Sequence, residues 1–238
     1  MHAVREWLRD ASSIAVLTGA GVSAESGVPT FRGNNGLWKQ YRAEELATPG
    51  AFARDPKLVW EWYDWRRGLI ADAKPNPGHY ALAEAEAEAR ARKFTLITQN
   101  VDGLHELAGS RNVLRLHGSI WMLRCLECGR EREDRRTPLP EIPPRCECCG
   151  MLRPGVVWFG EALPSKIWQE AEKAAREAEL FLLIGTSAVV YPAAGLATIA
   201  KTSGARVVEI NIAETGLSGS SDEFLRGPSG ELLPQLIA

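Results

Sequence analysis

The chain has 238 residues, 45% of them hydrophobic and 24% charged, with a formal net charge of -2 at neutral pH. This is an ordinary globular composition, long enough for one large α/β domain or for a large domain carrying a smaller insertion. No basic excess points to nucleic acid, and no basic amphipathic stretch points to a membrane surface.

Met1 to Asp10 mixes charges into its apolar residues and lacks the uninterrupted core of a signal peptide, so a cytosolic chain with reduced thiols is the expectation. Ile14 to Leu17 predicts a strand feeding the turn Thr18-Gly19-Ala20-Gly21. Gly19-Ala20-Gly21-Val22-Ser23-Ala24 fits G-x-G-x-x-A, in which glycines let backbone approach a pyrophosphate and the next helix N-terminus favours its charge. A plain strand-to-helix turn fits the same residues. After Glu25, Ser26-Gly27-Val28-Pro29-Thr30-Phe31-Arg32-Gly33 is forced into a loop by Gly and Pro, with Arg32 a cation near the phosphate position. The acidic residue that holds a ribose hydroxyl in hydride-transfer enzymes is missing about twenty positions on. The loop therefore reads as a dinucleotide site without dehydrogenase chemistry.

Leu37 to Ala73 is rich in tryptophan and breaks the strand–helix alternation. Within Trp60 to Arg67, Tyr63 and Arg66 share a face at i and i+3. A phenol beside a guanidinium can clamp a carboxylate, and an exposed Tyr with Arg66 paired to Glu61 or Asp64 is the plainer alternative. His79 to Arg92 predicts a helix, and Phe94 to Thr98 a strand ending in Gln99-Asn100-Val101-Asp102. Asn100 and Asp102 can form an Asx turn capping the next helix. Leu114 to His117 is a short strand running into Gly118. The imidazole's ordinary pKa near about 6.5 suits His117 to general-base work. A hydrogen-bonded histidine at a strand end is the alternative. His2, His79 and His105 have weaker claims, with His105 expected beneath a nucleotide.

Cys125-x-x-Cys128 and Cys146-x-x-Cys149, seventeen residues apart, match a four-thiolate zinc site. Cys148 competes through Cys146-x-Cys148, but the two-residue gap and trailing Gly150 favour Cys149. Four thiolates leave no open position, so the zinc is expected to be structural. Pro164 to Glu179 predicts a helix. Leu180 to Ala200 carries no charge and is long enough to cross a bilayer. Gly185-Thr186-Ser187 and Pro192 divide it instead into a buried strand (Leu180 to Ile184), a polar turn and a helix opened by Pro192. Arg206 to Ile210 is a fourth strand, ending at Asn211. Alternating strands and helices predict a Rossmann-like parallel sheet with a ligand crevice at the strands' carboxyl ends. Residues 1–36, 74–120 and 153–238 form that domain in this reading. The helical insertion 37–73 and the zinc-ribbon insertion 121–152 form a smaller one.

The opening run from Gly19 through Arg32 resembles the signature of the sirtuin family. So do Thr98 to Asp102, His117-Gly118, the cysteines, Pro154-Gly155-Val156-Val157-Trp158-Phe159-Gly160-Glu161, and Gly185-Thr186-Ser187 with Val190 and Pro192, all in family order. The resemblance implies NAD as co-substrate and removal of acyl groups from lysine, with release of nicotinamide and an acyl-ADP-ribose. It implies that His117 activates a ribose hydroxyl, Asn100 orients the nicotinamide ribose and Asp102 holds the carboxamide. Gly19, Ala20, Gly21, Ser23, Ala24, Glu25, Pro29, Phe31, Arg32, Gln99, Gly185 and Thr186 would line the NAD site. Ser187 and Asn211 would contact adenosine, and Ser229 adenine. The Tyr63/Arg66 pair resembles the class III members that remove succinyl, malonyl or glutaryl groups, with Ala47 as the small residue that widens the acyl pocket. Val101 would contact the substrate, and Val157, Trp158 and Phe159 would line the lysine channel and pair with substrate backbone. Acylated-lysine proteins are the implied partners, and a monomer is expected. A sirtuin-like mono-ADP-ribosyltransferase is the nearest rival. A non-catalytic zinc-ribbon module is the rival of a different class.

Overall fold

The computed structural model describes residues 1–30, 37–38, 41–89 and 92–237. In chain order it runs α1 (His2–Asp10), β1 (Ser13–Thr18), a 3₁₀ turn (Ala20–Ser26), a short hairpin of β2 (Leu37–Trp38) and β3 (Tyr41–Arg42), then α2 (Ala43–Leu46), α3 (Pro49–Arg54), α4 (Pro56–Asp72), α5 (Pro77–Glu88), β4 (Lys93–Thr98), α6 (Leu104–Leu107) and β5 (Val113–Arg115). There follow β6 (Gly118–Cys125), β7 (Glu131–Glu133), β8 (Leu152–Val156), α7 (Ser165–Glu177), β9 (Leu180–Ile184), α8 (Gly195–Thr202), β10 (Arg206–Asn211), β11 (Glu223–Arg226) and α9 (Ser229–Ile237).

Six strands form one sheet in the order β11-β10-β9-β1-β4-β5, every neighbouring pair parallel. The chain builds one half outward from β1 through β4 and β5, then returns to the other side of β1 for β9, β10 and β11. The order reverses at β1, and a parallel sheet opens its ligand crevice at such a switch point. The glycine loop leaves β1 there. Because both faces are covered, the central strands β1 and β9 are continuous apolar runs. Ile14 and Val16 join a cluster with Leu96, Leu182 and Val208, whereas Ala15 and Leu17 face the opposite cluster with Ile97, Phe181 and Leu183.

A third cluster holds the tryptophan-rich segment against the cysteine-bearing one, joining Trp60, Trp62 and Tyr63 of α4 to Ile120, Trp121 and Leu123 of β6, Leu152 of β8 and Trp158. Asp55 caps α4 by accepting from the Leu58 amide at 2.9 Å, and Pro56 opens its first turn. Val59, Trp60, Tyr63, Arg67 and Ile70 then fall on the buried face at helical spacing. Arg67 donates to the carbonyl of Ile120 at 2.9 Å and to that of Asp134, pinning α4 to the small antiparallel sheet β7-β6-β8.

Some expectations shift. The glycine loop continues as a 3₁₀ turn and not an α-helix, with Gly27 ending it at φ 82°. Pro192 precedes its helix, which begins at Gly195. Strand β11 carries no apolar run and goes unread in the sequence. The three-stranded sheet extends from Gly118 to Val156, past both ends of 121–152. Among the described residues no helix is long and apolar enough to cross a membrane.

Candidate active site

The crevice floor is backbone packed on backbone. Gly21 N–H donates to the Gly185 carbonyl at 2.7 Å, and Gly19 N–H to that of Ile184 at 3.1 Å. A Cβ on Gly21 would lie 2.6 Å from that Gly185 oxygen, and one on Gly185 would lie 2.5 Å from the Val22 nitrogen. Gly185 also sits at φ 57°, a conformation side chains disfavour. The ends of β4 and β10 are tied to the same place. The Gln99 amide donates to Thr186 Oγ1 at 3.0 Å, and the Asn211 amide to the Thr186 carbonyl at 2.7 Å.

Around this floor lies a cavity of about 540 Å³. Gly19, Ala20, Gly21, Gln99, Asn100, Val101, Gly185, Thr186, Ser187 and Asn211 line one side, Ala47, Tyr63, Arg66, Val157, Trp158 and Phe159 the other, and His117 lines it as well. A small satellite cavity of about 10 Å³ shares Ala20, Arg66, Asn100 and Val101 with it and adds Ser23, Pro29 and Asp102.

His117 stands between the two sides. Its Nδ1 lies 3.0 Å from the Gln99 carbonyl oxygen. A carbonyl can only accept, so Nδ1 carries the proton and Nε2 is left as the basic nitrogen. Burial holds the imidazole below its ordinary pKa, opposed by that hydrogen bond, so the ring is neutral at pH 7. Gly118 follows at φ 77°, where a Cβ would fall 2.2 Å from the Gly155 carbonyl. The turn after the histidine thus requires glycine.

Behind the satellite cavity runs a chain of buried polar groups. The Asn76 backbone N–H donates to His79 Nδ1 at 3.3 Å, His79 Nε2 faces Ser23 Oγ at 3.4 Å, and Ser23 Oγ donates to Asp102 Oδ2 at 2.9 Å. The Asn100 amide also donates to Ser23 Oγ and to the Gly19 carbonyl. Burial raises the Asp102 carboxyl, opposed by the Leu104 amide and Ser23. Burial drives His79 down to about 3 and His105 to about 4, so both imidazoles are neutral. His105 reaches Thr18 Oγ1 at 3.0 Å, under the end of β1.

Three expected NAD contacts fall elsewhere. Glu25 accepts from the Gly230 amide at 2.7 Å and lies 3.4 Å from Ser229 Oγ, capping α9. Its carboxylate and Ser229 are engaged with each other outside both cavities, and Ala24 lines neither. Phe31 and Arg32 lie outside the described residues. Conversely, Ile212 to Thr215 and Val190 to Pro192 line the crevice. Val190 and Pro192 belong to the signature quoted from the sequence, whereas only a position after β10 could have marked Ile212 to Thr215.

The wall opposite the nucleotide floor is side-chain built. Tyr63 is wedged against Trp62 and Trp60, with ring centroids 4.6 and 6.4 Å apart. Arg66 lies over the Trp62 ring at 5.1 Å. Both face the cavity with Ala47. The Phe159 amide donates to the Ala47 carbonyl and the Val157 amide to that of His117, both at 2.9 Å, which holds the 156–159 segment along the cavity rim.

Of the five cysteines, Cys125, Cys128, Cys146 and Cys148 bring their sulfurs within 4.8 Å of one another. Cys149, expected as the fourth member, is replaced by Cys148. Cys149 sits at φ 65°, and its amide closes a turn onto the Cys146 carbonyl at 2.9 Å, which puts the preceding side chain inside. The Cys125–Cys148 and Cys128–Cys146 sulfurs lie 3.5 and 3.8 Å apart. Tetrahedral zinc with bonds of about 2.3 Å requires edges of about 3.8 Å. The donor set and spacing fit a zinc ion.

The Sir2 family model matches residues 19–192. An NAD-dependent protein deacylase of Aquifex aeolicus (strain VF5) is 60% identical over 211 residues, covering 88% of this chain and 87% of the relative. NAD-dependent protein deacylase 2 of Pyrobaculum aerophilum is 54% identical over 98% of this chain and 93% of its own length. Among solved structures, a Sir2 homolog–NAD complex superposes with a TM-score of 0.95 at 48% identity, covering 100% of this chain and 92% of the other. A Sir2 protein bound to acetylated peptide gives 0.88 at 29% identity, covering 100% and 97%. A match running from the glycine loop to the proline after β9, on a sheet that reverses at β1, places the chain in the Sir2 family.

Proposed function

We propose that this protein is an NAD-dependent protein-lysine deacylase that removes acidic acyl groups, succinyl and malonyl among them, as well as acetyl. The observation that carries this reading is the single cavity joining the glycine floor, the imidazole of His117 and the Tyr63/Arg66 pair. Relatives named for the activity, and neighbours holding NAD or an acetylated peptide, support the general reaction.

The two ends of the cavity divide the work. Gly19 to Gly21 and Gly185 to Ser187 offer close backbone approach to a pyrophosphate. Asn211 faces the adenosine end. Asn100 and Asp102 hold the nicotinamide ribose and carboxamide beside the satellite cavity. An acylated lysine enters between Val157 and Phe159. NAD serves as the co-substrate whose nicotinamide leaves and whose ribose accepts the acyl group. His117 Nε2 takes the proton from a ribose hydroxyl, with the Gln99 carbonyl stabilising the imidazolium that forms.

At the acyl end, Arg66 presents a forked donor to a terminal carboxylate and the Tyr63 hydroxyl adds a further one. Zinc bound by Cys125, Cys128, Cys146 and Cys148 would tie the small sheet together and supply folding energy without taking part in chemistry. The reading divides the chain at 1–36, 74–120 and 153–238 for the nucleotide, and 37–73 with 121–152 for the small domain.

The test is mass spectrometry of products from NAD and a succinyl-lysine peptide. Free lysine peptide with succinyl-ADP-ribose is the expected outcome. ADP-ribose attached to peptide or protein, with the acyl group still on lysine, would replace this reading with the ADP-ribosyltransferase.

A further inference from the structure

We propose that Trp158 is a specificity-determining residue for acidic acyl groups, because its indole N–H fixes where the Tyr63 hydroxyl can donate. The inference rests on the reading that Tyr63 and Arg66 face the acyl chain.

Trp158 Nε1 donates to the Tyr63 oxygen at 2.9 Å, in a buried contact. An indole N–H is a donor only, so the phenol oxygen is the acceptor in this bond. The phenol's single proton must then be given to something else. Its neighbour one helical turn along, Arg66, is also a donor only. Among the described residues, no acceptor takes the Tyr63 proton. Burial pushes the Tyr63 pKa up to about 12, so the hydroxyl stays protonated at any working pH. Among the described residues, the Tyr63 hydroxyl therefore offers its proton to this corner of the cavity, beside the Arg66 guanidinium. A terminal carboxylate can accept it, an acetyl methyl cannot, and an acyl chain ending in an amine sets donor against donor.

Trp158 is held firmly enough to act this way. The Arg153 guanidinium lies 3.5 Å above its ring, and Phe52 packs at 5.1 Å. Its backbone N–H donates to Glu161 Oε2 at 2.8 Å. Arg153 grips the two Glu161 oxygens at 2.6 and 2.8 Å. The loop is thus closed on itself by an ion pair, with the indole N–H directed at Tyr63. Benzothienylalanine at 158 would remove the N–H alone, whereas phenylalanine removes it together with part of the buried ring.

The experiment measures kcat and KM on succinyl-lysine and acetyl-lysine peptides of one sequence, for wild type, Trp158→Phe, Tyr63→Phe, the Trp158→Phe/Tyr63→Phe double variant and Arg66→Met. Trp158→Phe is expected to lower the succinyl-to-acetyl ratio of kcat/KM by about two- to tenfold, the worth of one neutral hydrogen bond, chiefly by raising KM for the succinyl peptide. In the Tyr63→Phe background the same substitution should change the ratio no further, since no hydroxyl remains to aim. Benzothienylalanine at 158, an indole isostere without the N–H, gives the same comparison if Trp158→Phe does not fold. An unmoved ratio, an equal loss on both substrates, or multiplying effects in the double variant would overturn the proposal. If Tyr63→Phe and Arg66→Met themselves leave the ratio unmoved, the carboxylate reading falls and this proposal falls with it.

Discussion

The two walls of the crevice are made by different means. The nucleotide wall is backbone: Gly19, Gly21 and Gly185 leave no room for a Cβ, and all three line the cavity. The acyl wall is side chain: Tyr63, Arg66 and Trp158 come from segments nearly a hundred residues apart and meet through aromatic packing and one hydrogen bond. A wall of backbone fixes what every substrate shares, and a wall of side chains sets what distinguishes one acyl group from another. Substitutions in the first should therefore strike all acyl substrates alike, and those in the second should change their ranking.

The largest expected effect lies between the walls. His117→Ala should lower kcat/KM by about 10²–10⁴, the usual worth of a positioned base, and by the same factor on succinyl and acetyl peptides. A selective loss would put the histidine on the acyl wall. On the nucleotide wall, Gly21→Ala forces a Cβ to 2.6 Å from the Gly185 oxygen. Overpacking of that kind costs about 1–3 kcal/mol, so KM for NAD should rise by up to about a hundredfold regardless of the acyl group. Isothermal titration of NAD and a thermal melt separate lost binding from lost folding.

On the acyl wall, Arg66→Met removes a charged donor worth about 1.5–3 kcal/mol, so desuccinylation should fall roughly ten- to a hundredfold more than deacetylation. Equal losses would remove Arg66 from the acyl site. The cysteine cluster sharpens the comparison from outside the cavity. Cys148→Ser should abolish the bound zinc and lower the melting temperature, whereas Cys149→Ser should keep one equivalent by metal analysis. The reverse pattern would restore the sequence-based assignment.

The smallest effect is a pH dependence of stability. His79 and His105 are held at about 3 and about 4, below the ordinary imidazole value near 6.5. A depressed folded-state value means their full contribution is present above about 6.5 and is lost as pH falls through the window down to about 3. The raised carboxyl of Asp102 offsets part of this at the acid end. Denaturant melts at pH 7.5 and 5 should show the lower stability at pH 5, and His79→Asn should flatten the difference.

Much of the nucleotide wall is legible in the chain because its constraints are local. Strands buried on both faces must be apolar runs, and a loop packed on a loop must contain glycine, so Ile14 to Gly21 and Leu180 to Ser187 announce themselves. Gly118 does the same for His117. The failures are also instructive. Glu25 lies inside the glycine-loop signature, but its carboxylate caps a helix more than two hundred residues later, a contact no local pattern encodes. Cys149 fits the two-residue spacing better than Cys148. A left-handed turn at Cys149 reverses the choice, and spacing rules do not register that turn. Tyr63 and Arg66 share a face by helical period alone, yet the bond from Trp158 depends on how α4 packs against the loop after β8 and was invisible beforehand.

The central claim is that one crevice holds a dinucleotide and an acylated lysine against the same imidazole. Nicotinamide release from NAD, followed with and without a succinyl-lysine peptide, tests it most directly. Release that requires the acylated peptide and matches the free lysine formed mole for mole is the predicted result. NAD left intact in the presence of the peptide, or consumed equally without it, would contradict the account.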